Sequence, residues 1–345
     1  MKRTSPWLAA LVVLPLALTA CSTDAGTADG AAGTGDPVAE DASGGESEEP
    51  AGAAAASGSE DVTFAVVTHG TPGDTFWDVV KSGAEQAAED LGVSVTYQGD
   101  GDPVEQSGLI DSAVASGADG LIVSMANPDG VRDAVENAVT AGIPVITINS
   151  GLDQSQDFGA QTHVGQSEFI AGQGAGEQLA EAGVTNVMCV IHEAGNSGLE
   201  ERCEGAGDTL GGTVTNVQVD IANVADAQNT IQSTLLADPS IDGVLTLNPG
   251  IAVAAAQAVE EASSDATLAT FDVSADVTQL IEDGVILFAV DQQPYSQGYL
   301  PVTFLTLQVR NGDQVGGGQP VYSGPGFVTQ ENAAQVAEFA ANGTR

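Results

Sequence analysis

From residue 62 onward the chain alternates short apolar runs with longer stretches in which small and apolar residues recur at three- and four-residue spacing. Val62–Val67, Val93–Tyr97, Gly120–Ser124 and Ile143–Ile148 predict strands, and Thr75–Leu91, Pro103–Ser116 and Asp129–Ala141 predict helices. The strand runs are branched aliphatics without alternation, which suits strands covered on both faces. The helical stretches stop at Gly92, Gly117 and Gly142, where glycine tolerates the left-handed backbone that ends a helix. A second series follows. Strands Val187–His192, Val214–Val219, Gly243–Leu247, Thr267–Phe271 and Val285–Val290 alternate with helices Leu199–Leu210, Ala225–Ala237, Ile251–Ala262 and Ala275–Asp283. Repeated strand–helix–strand units dictate parallel sheets with right-handed crossovers. Two series of similar size, divided around residues 160–170, predict an α/β protein of two doubly wound, Rossmann-like lobes rather than one closed barrel.

The first lobe is expected over residues 62–165 plus 293–323 and the second over 166–292 plus 324–345. Crossings at Thr162–Gln166, near Gln292 and near Tyr322–Phe327 form a three-segment hinge, with a ligand cleft between the lobes.

The segment ahead of this pattern has a different character. Lys2 and Arg3 precede an apolar run from Trp7 to Leu18, too short to span a bilayer as a stable helix. This is the layout of a secretory signal peptide over residues 1–20. Leu18-Thr19-Ala20-Cys21 resembles the bacterial lipoprotein box, which implies that Cys21 is acylated and becomes the first mature residue. Ser22 to Asp61 is dominated by Gly, Ala, Ser, Thr, Asp and Glu, with no aromatic and almost no branched aliphatic side chain. Such a stretch buries too little apolar surface to offset its ordering entropy, and reads as a flexible acidic linker. The expectation is a body leashed to the extracytoplasmic face of the cell membrane through lipid alone.

Charge narrows the partners. The chain carries 48 Asp+Glu against 7 Lys+Arg, a net charge of −41. Loss of Lys2 and Arg3 with the signal leaves Lys81, Arg132, Arg202, Arg310 and Arg345, which form no cluster. Phosphate binding needs clustered cations, so nucleic acid is excluded as a partner, as is attraction to anionic lipid. The acidity itself reads as a solvated surface suited to saline surroundings. A monomer is expected.

With Cys21 assigned to lipid, Cys189 and Cys203 remain, and in an exported chain they favour a disulfide, with two buried thiols as the alternative. Such a bridge closes a loop of about 15 residues and fixes the approach of Arg202. His69, His163 and His192 stand at no metal-ligand spacing. His192-Glu193 begins like a zinc-protease helix, but Asn196 occupies the place of the second histidine. No metal or cofactor is expected. Gly172-Gln-Gly-Ala-Gly176 lies inside a helical stretch, where close packing is the better reading than a dinucleotide loop.

In doubly wound sheets ligands bind beyond the carboxyl ends of the strands. The polar residues there are Thr68 and His69 with Asp74, Phe76 and Trp77, then Ser124, Asn149, Asn196 to Arg202, Asn223, Asn248, Asp272 and Gln292. Amides and carboxylates bond paired hydroxyls, and aromatics lie against the apolar face of a ring, so the set suits a neutral sugar or polyol. Adjacent aromatics on a helix point about 100° apart, so Phe76 and Trp77 are not both expected to serve the core.

The chain resembles the type I periplasmic solute-binding proteins of ABC transporters, in the ribose/galactose-binding branch, from Val62 to about Val328. Phe64-Ala-Val-Val-Thr68 with Asp74-Thr-Phe-Trp77 resembles the first strand and the aromatic pair that sandwiches the sugar. Ala141-Gly-Ile-Pro-Val-Ile-Thr-Ile-Asn149, Thr162-His-Val-Gly-Gln166, the stretch from Glu201-Arg202 to Gly205, Phe271-Asp272 and Val290-Asp-Gln-Gln-Pro294 are similar to further family segments in the same order. The resemblance implies that Phe76 and Trp77 stack on the ring, and that Asp74, Ser124 and Asn149 bond hydroxyls from the first lobe. Arg202, Asn223, Asn248, Asp272 and Gln292 do so from the second lobe and hinge. It also implies a permease and an ATPase as partners. Two departures alter the pocket: Asn149-Ser150 stands where ribose binders place Asp-Arg, and Asn223 where an aromatic is expected. Another aldose, a ketose or a cyclic polyol such as inositol fits equally well. The family's repressors carry a helix-turn-helix where this chain has its anchor and linker, so a repressor is excluded.

A ligand-sensing lipoprotein is the alternative role. A glycosidase using Asp74 and Asp272 would need one raised pKa; the neighbouring amides and Arg202, with which either acid can pair, are expected to keep both ionised.

Overall fold

A computed structural model describes residues 62–345. The segments expected to be signal peptide and linker, with Cys21 between them, lie outside the described residues. The first lobe runs β1 (Thr63–Thr68), α1 (Thr75–Leu91), β2 (Ser94–Gly99), α2 (Pro103–Ala115), β3 (Gly120–Ser124), α3 (Pro128–Thr140), β4 (Val145–Asn149), the short α4 (Leu152–Ser155) and β5 (Thr162–Gly165). The second runs α5 (Glu168–Glu181), β6 (Asn186–Ile191), α6 (Ser197–Leu210), β7 (Thr213–Gln218), α7 (Val224–Ala237), β8 (Gly243–Thr246), α8 (Pro249–Ala262), β9 (Thr267–Phe271), α9 (Ala275–Glu282) and β10 (Ile286–Asp291). Then α10 (Pro294–Asn311) and β11 (Val321–Tyr322) return to the first lobe, and β12 (Gly326–Thr329) and α11 (Ala333–Ala341) complete the second.

The two sheets have the same construction, in orders β11-β5-β4-β3-β1-β2 and β12-β10-β9-β8-β6-β7. The chain therefore passes between them three times: after β5, after β10 and between β11 and β12. Neighbouring strands are parallel except β12, which runs antiparallel to β10. Successive residues of β1 serve opposite faces, Phe64 and Val66 in one apolar cluster and Ala65 and Val67 in another, so helices cover both sides as the unalternating runs require. The edge strands β2 and β7 depart from that pattern. Their residues are part-exposed or fully exposed, because one side of each strand has no neighbour.

Close helix packing builds one wall of the cleft. A Cβ on Gly172 of α5 would meet the carbonyl of Arg202 on α6, and one on Gly205 would meet that of Phe169. The glycines let the two backbones touch. That contact brings Glu168, at the start of α5, beside Arg202. Cys189 on β6 and Cys203 on α6 form a disulfide with Cα atoms 5.9 Å apart, tying the same helix to its sheet. Among the described residues no helix is long and apolar enough to cross a membrane.

Candidate functional site

The carboxyl ends of both sheets face each other, and the turns that follow the strands set the side chains between them. Asp74, Asn196 and Asn248 cap α1, α6 and α8, accepting backbone N–H groups that those helix starts leave without an internal partner. The caps fix each side chain at the cleft. Asn149 at the end of β4 and Asp272 just after β9 both have left-handed backbone, with φ of 61° and 66°. Non-glycine residues hold this conformation only where surrounding structure imposes it, which is common at binding sites.

One small cavity is lined by His69, Asp74, Phe76, Trp77, Asn149, Arg202, Asn248, Asp272 and Gln292, all expected from the sequence, with Asn196 from the expected Asn196–Arg202 loop. Polar contacts cross it between the lobes. Asn248 Nδ2 donates to Asp74 Oδ1 at 3.2 Å, and Asn149 Nδ2 donates to Gln292 Oε1 at 2.9 Å. Gln292 Nε2 in turn donates to both oxygens of Asp272 at 3.0 and 3.1 Å. The Ser197 backbone N–H reaches the Ala126 carbonyl at 2.9 Å. The lobes are closed on each other. The space left is about 20 Å3, which is water-sized, so a monosaccharide requires them to part. His69, His192, Glu193 and Asn196 also border an adjoining groove of about 640 Å3.

Three expected residues stand elsewhere. Thr68 is buried behind the cleft and bonds the Tyr97 hydroxyl at 3.2 Å. Ser124 is equally buried; its Oγ accepts the His69 N–H at 2.9 Å and bonds Nδ1 at 2.7 Å, so it orients His69 rather than facing the cleft. Asn223 is exposed and caps α7, accepting from the Asp226 N–H at 3.3 Å. The short turn after β7, at the sheet edge, carries it away from the cavity. Phe76 and Trp77 do not divide between core and cleft. Both are buried in one apolar cluster and both line the cavity, since the end of α1 itself abuts the cleft. Trp77 packs edge-on against Phe76 and His69, with centroids 5.0 and 4.7 Å apart.

Arg202 meets one of its two expected partners, Asp272, but not Asp74, and its closest carboxylate is Glu168. Its Nε and Nη2 donate to the two oxygens of buried Glu168 at 2.6 and 3.0 Å, while Asp272 Oδ2 lies 3.9 Å from Nη1. Nη1 also donates to the Leu247 carbonyl at 3.3 Å, and the guanidinium lies over the Phe271 ring. With that charge held mainly by Glu168 and more distantly by Asp272, burial dominates the acids of the cleft. It pushes Asp272 up to about 8, against the weaker pull of Arg202, and it raises Asp74. The expectation that both acids stay ionised is thus corrected at Asp272, whose desolvation the amides and one shared guanidinium do not offset; Asp74 is shifted in the same direction. Burial also holds His69 and His192 neutral, each near 3.

Glu168, Ser150, His192 and Glu193 were not singled out as ligand contacts, yet Ser150, His192 and Glu193 line the cavity. The strand-end rule contains the signal for two of them. His192-Glu193 follow β6 as Thr68-His69 end and follow β1, and β6 and β1 hold the same place in their sheets. Asp74, His192 and Glu193 also bring one ligand-capable atom each within 4.8 Å of one another, a grouping that sequence spacing does not reveal because it spans both lobes.

Residues 64–313 match the model of the periplasmic binding protein domain family. The chain belongs to that family. Among curated relatives, it is 28% identical over 216 residues to the xylose/arabinose-binding protein XylF of Sulfolobus acidocaldarius, covering 57% of this chain and 54% of the relative. The chain thus spans about half the length of that protein. It is 26% identical over 253 residues to the ribose import binding protein RbsB of Haemophilus influenzae, covering 72% and 85%. A carbohydrate transporter protein of Acidothermus cellulolyticus 11B, solved with myo-inositol, superposes with a TM-score of 0.81 at 43% identity, covering 82% of this chain and 99% of that one. These relatives are solute-binding proteins of transporters, not enzymes, so the raised acids of the cleft do not mark a hydrolase.

Proposed function

We propose that this periplasmic binding protein is a lipoprotein on the outer face of the cell membrane that captures a cyclic polyol or monosaccharide between its lobes and delivers it to an ABC permease. The observation that carries the reading is a cleft in which Phe76 and Trp77 form one wall while amides and carboxylates converge from both lobes. Aromatic faces take the apolar face of a pyranose or cyclitol, and the polar groups take its hydroxyls. The 43% identity to a structure holding myo-inositol favours a cyclitol over ribose, as does Asn149-Ser150 in place of an acid–arginine pair. The Leu18-Thr19-Ala20-Cys21 box supports acylation at Cys21, and residues 22–61 suit a tether between membrane and body. Lobes of residues 62–165 plus 293–323 and of 166–292 plus 324–345 open and close about the three crossings, and ligand bridges them only when closed.

Isothermal calorimetry with myo-inositol, D-ribose, D-xylose, L-arabinose and D-glucose tests the ligand class. Binding of myo-inositol above the others supports the cyclitol, and no heat with any of the five rejects the reading. Transport is tested by ligand uptake in cells lacking the chain, and anchoring by Cys21→Ser, which is expected to release the protein from the membrane fraction.

A further inference from the structure

Three acceptors of the cleft have capacity that the fold does not use. Among the described residues, hydrogen bonds reach Asp74 only at Oδ1, from the Phe76 N–H at 3.0 Å and Asn248 at 3.2 Å. They reach Glu193 only at Oε2, from Asn196 at 2.7 Å, with His69 Nε2 at 3.8 Å from the same oxygen. His192 Nδ1 is buried with no hydrogen-bond partner. Burial keeps that ring neutral, so it retains an acceptor nitrogen. One atom from each of Asp74, His192 and Glu193 lies within 4.8 Å of the others, Asp74 from the first lobe and the other two from the second.

Resting on the polyol reading above, we infer that Asp74, His192 and Glu193 form a cation-accepting pole of the cleft that takes the protonated amine of an amino-substituted polyol or sugar. An ammonium nitrogen bonded to three acceptors at about 2.8 Å sets them about 4.6 Å apart in a tetrahedral arrangement. A zinc ion with ligands at about 2.1 Å draws them to about 3.4 Å. Atoms within 4.8 Å of one another lie close enough for one ammonium to reach all three. Charge points the same way. The guanidinium of Arg202 is the one cation in the cavity wall, and it is bonded through Nε and Nη2 to Glu168. Its Nη1 stands 3.9 Å from Asp272, which leaves Asp74 and Glu193 as the acids of the wall that no cationic side chain pairs among the described residues. Burial pushes Glu193 up to about 7 and raises Asp74, a cost that a bound ammonium relieves and a neutral hydroxyl does not. A phosphorylated or carboxylated sugar meets the same acids as a repulsion.

Calorimetry at pH 7 on the mature chain compares myo-inositol with an aminodeoxy-inositol, and D-glucose with D-glucosamine. In at least one pair the amine is expected to bind tenfold or more tightly than its neutral parent. Glu193→Gln and, independently, Asp74→Asn are expected to bring that ratio down to about one. Amines that bind no better than neutral parents in both pairs overturn the inference while leaving the polyol reading intact. So does a preference that survives both substitutions. Stabilisation by Zn2+ or Ca2+ without sugar, lost in Glu193→Gln, overturns it in favour of a metal site. If no member of either pair binds, the inference falls, while the polyol reading is decided by the five-ligand titration above.

Discussion

Trp77 joins three environments: the apolar cluster under α1, the edge-on contact with His69, and the cavity. Trp77→Ala is expected to weaken ligand binding by ~2 kcal/mol or more, the scale of an aromatic anchor removed from a desolvated pocket. A titration of the variant that matches the parent would falsify the placement. The buried titratable groups make a second prediction. Asp272 near 8 and Glu193 near 7 keep protons in the folded chain that the unfolded chain releases above about 4, so their contribution falls as pH rises toward 8. His69 and His192 near 3 and His163 near 4 act oppositely, adding stability as pH rises to about 6.5 and nothing beyond. Below about 6.5 the two sets offset each other; above it only the acids remain. The melting temperature of the ligand-free protein is therefore expected to fall between pH 6.5 and 8, and Asp272→Asn to flatten the fall. Thermal melts across that window check both. At this scale the strand-end rule reads Asn149, Asn248, Asp272 and Gln292 from the chain, but not that Ser124 turns back to hold His69.

At the scale of elements, α5 and α6 carry more of the site than their sequences suggest. Gly172 and Gly205 are legible only as small residues in helices; what they permit is the backbone contact that seats Glu168 against Arg202. The disulfide from β6 to α6 holds the same helix from its other side, across a sequence separation of 14. In the chain-entropy account its reduction costs about 3 kcal/mol. Urea unfolding with and without reductant measures this, and two titratable thiols in the unreduced, unfolded mature chain would contradict the bridge. The element pattern itself is readable because both sheets are covered on two faces and their strands stay apolar throughout. β2 and β7 are the exceptions, and the turn after the second of them places Asn223 outside the cavity.

At the scale of the whole molecule, the shared strand order makes the halves two versions of one unit. Equivalent strand ends supply opposite walls, β1 giving His69 where β6 leads to His192 and Glu193, and β4 giving Asn149 where β9 leads to Asp272. Contacts such as Asn248 to Asp74 exist only while the lobes are closed. On the proposed function, opening exchanges them for water and a bound polyol replaces them with its own hydroxyls. Small-angle scattering with the ligand found by calorimetry is expected to show a smaller radius of gyration than the free protein. Profiles that stay identical at saturation count against closure.

The repeat of strand and helix, the doubly wound class and the strand-end polar residues are all written in local order, because periodicity and caps depend on neighbours along the chain. Which acids keep a counter-charge is not. Glu168 captures Arg202 from 34 positions away, Asp272 takes only its more distant Nη1, and Asp74 and Glu193 are left to the cost of burial, an outcome set by two helices touching. The grouping of Asp74 with His192 and Glu193 depends likewise on two lobes meeting, since electrostatic strength and desolvation follow distance in space rather than in sequence.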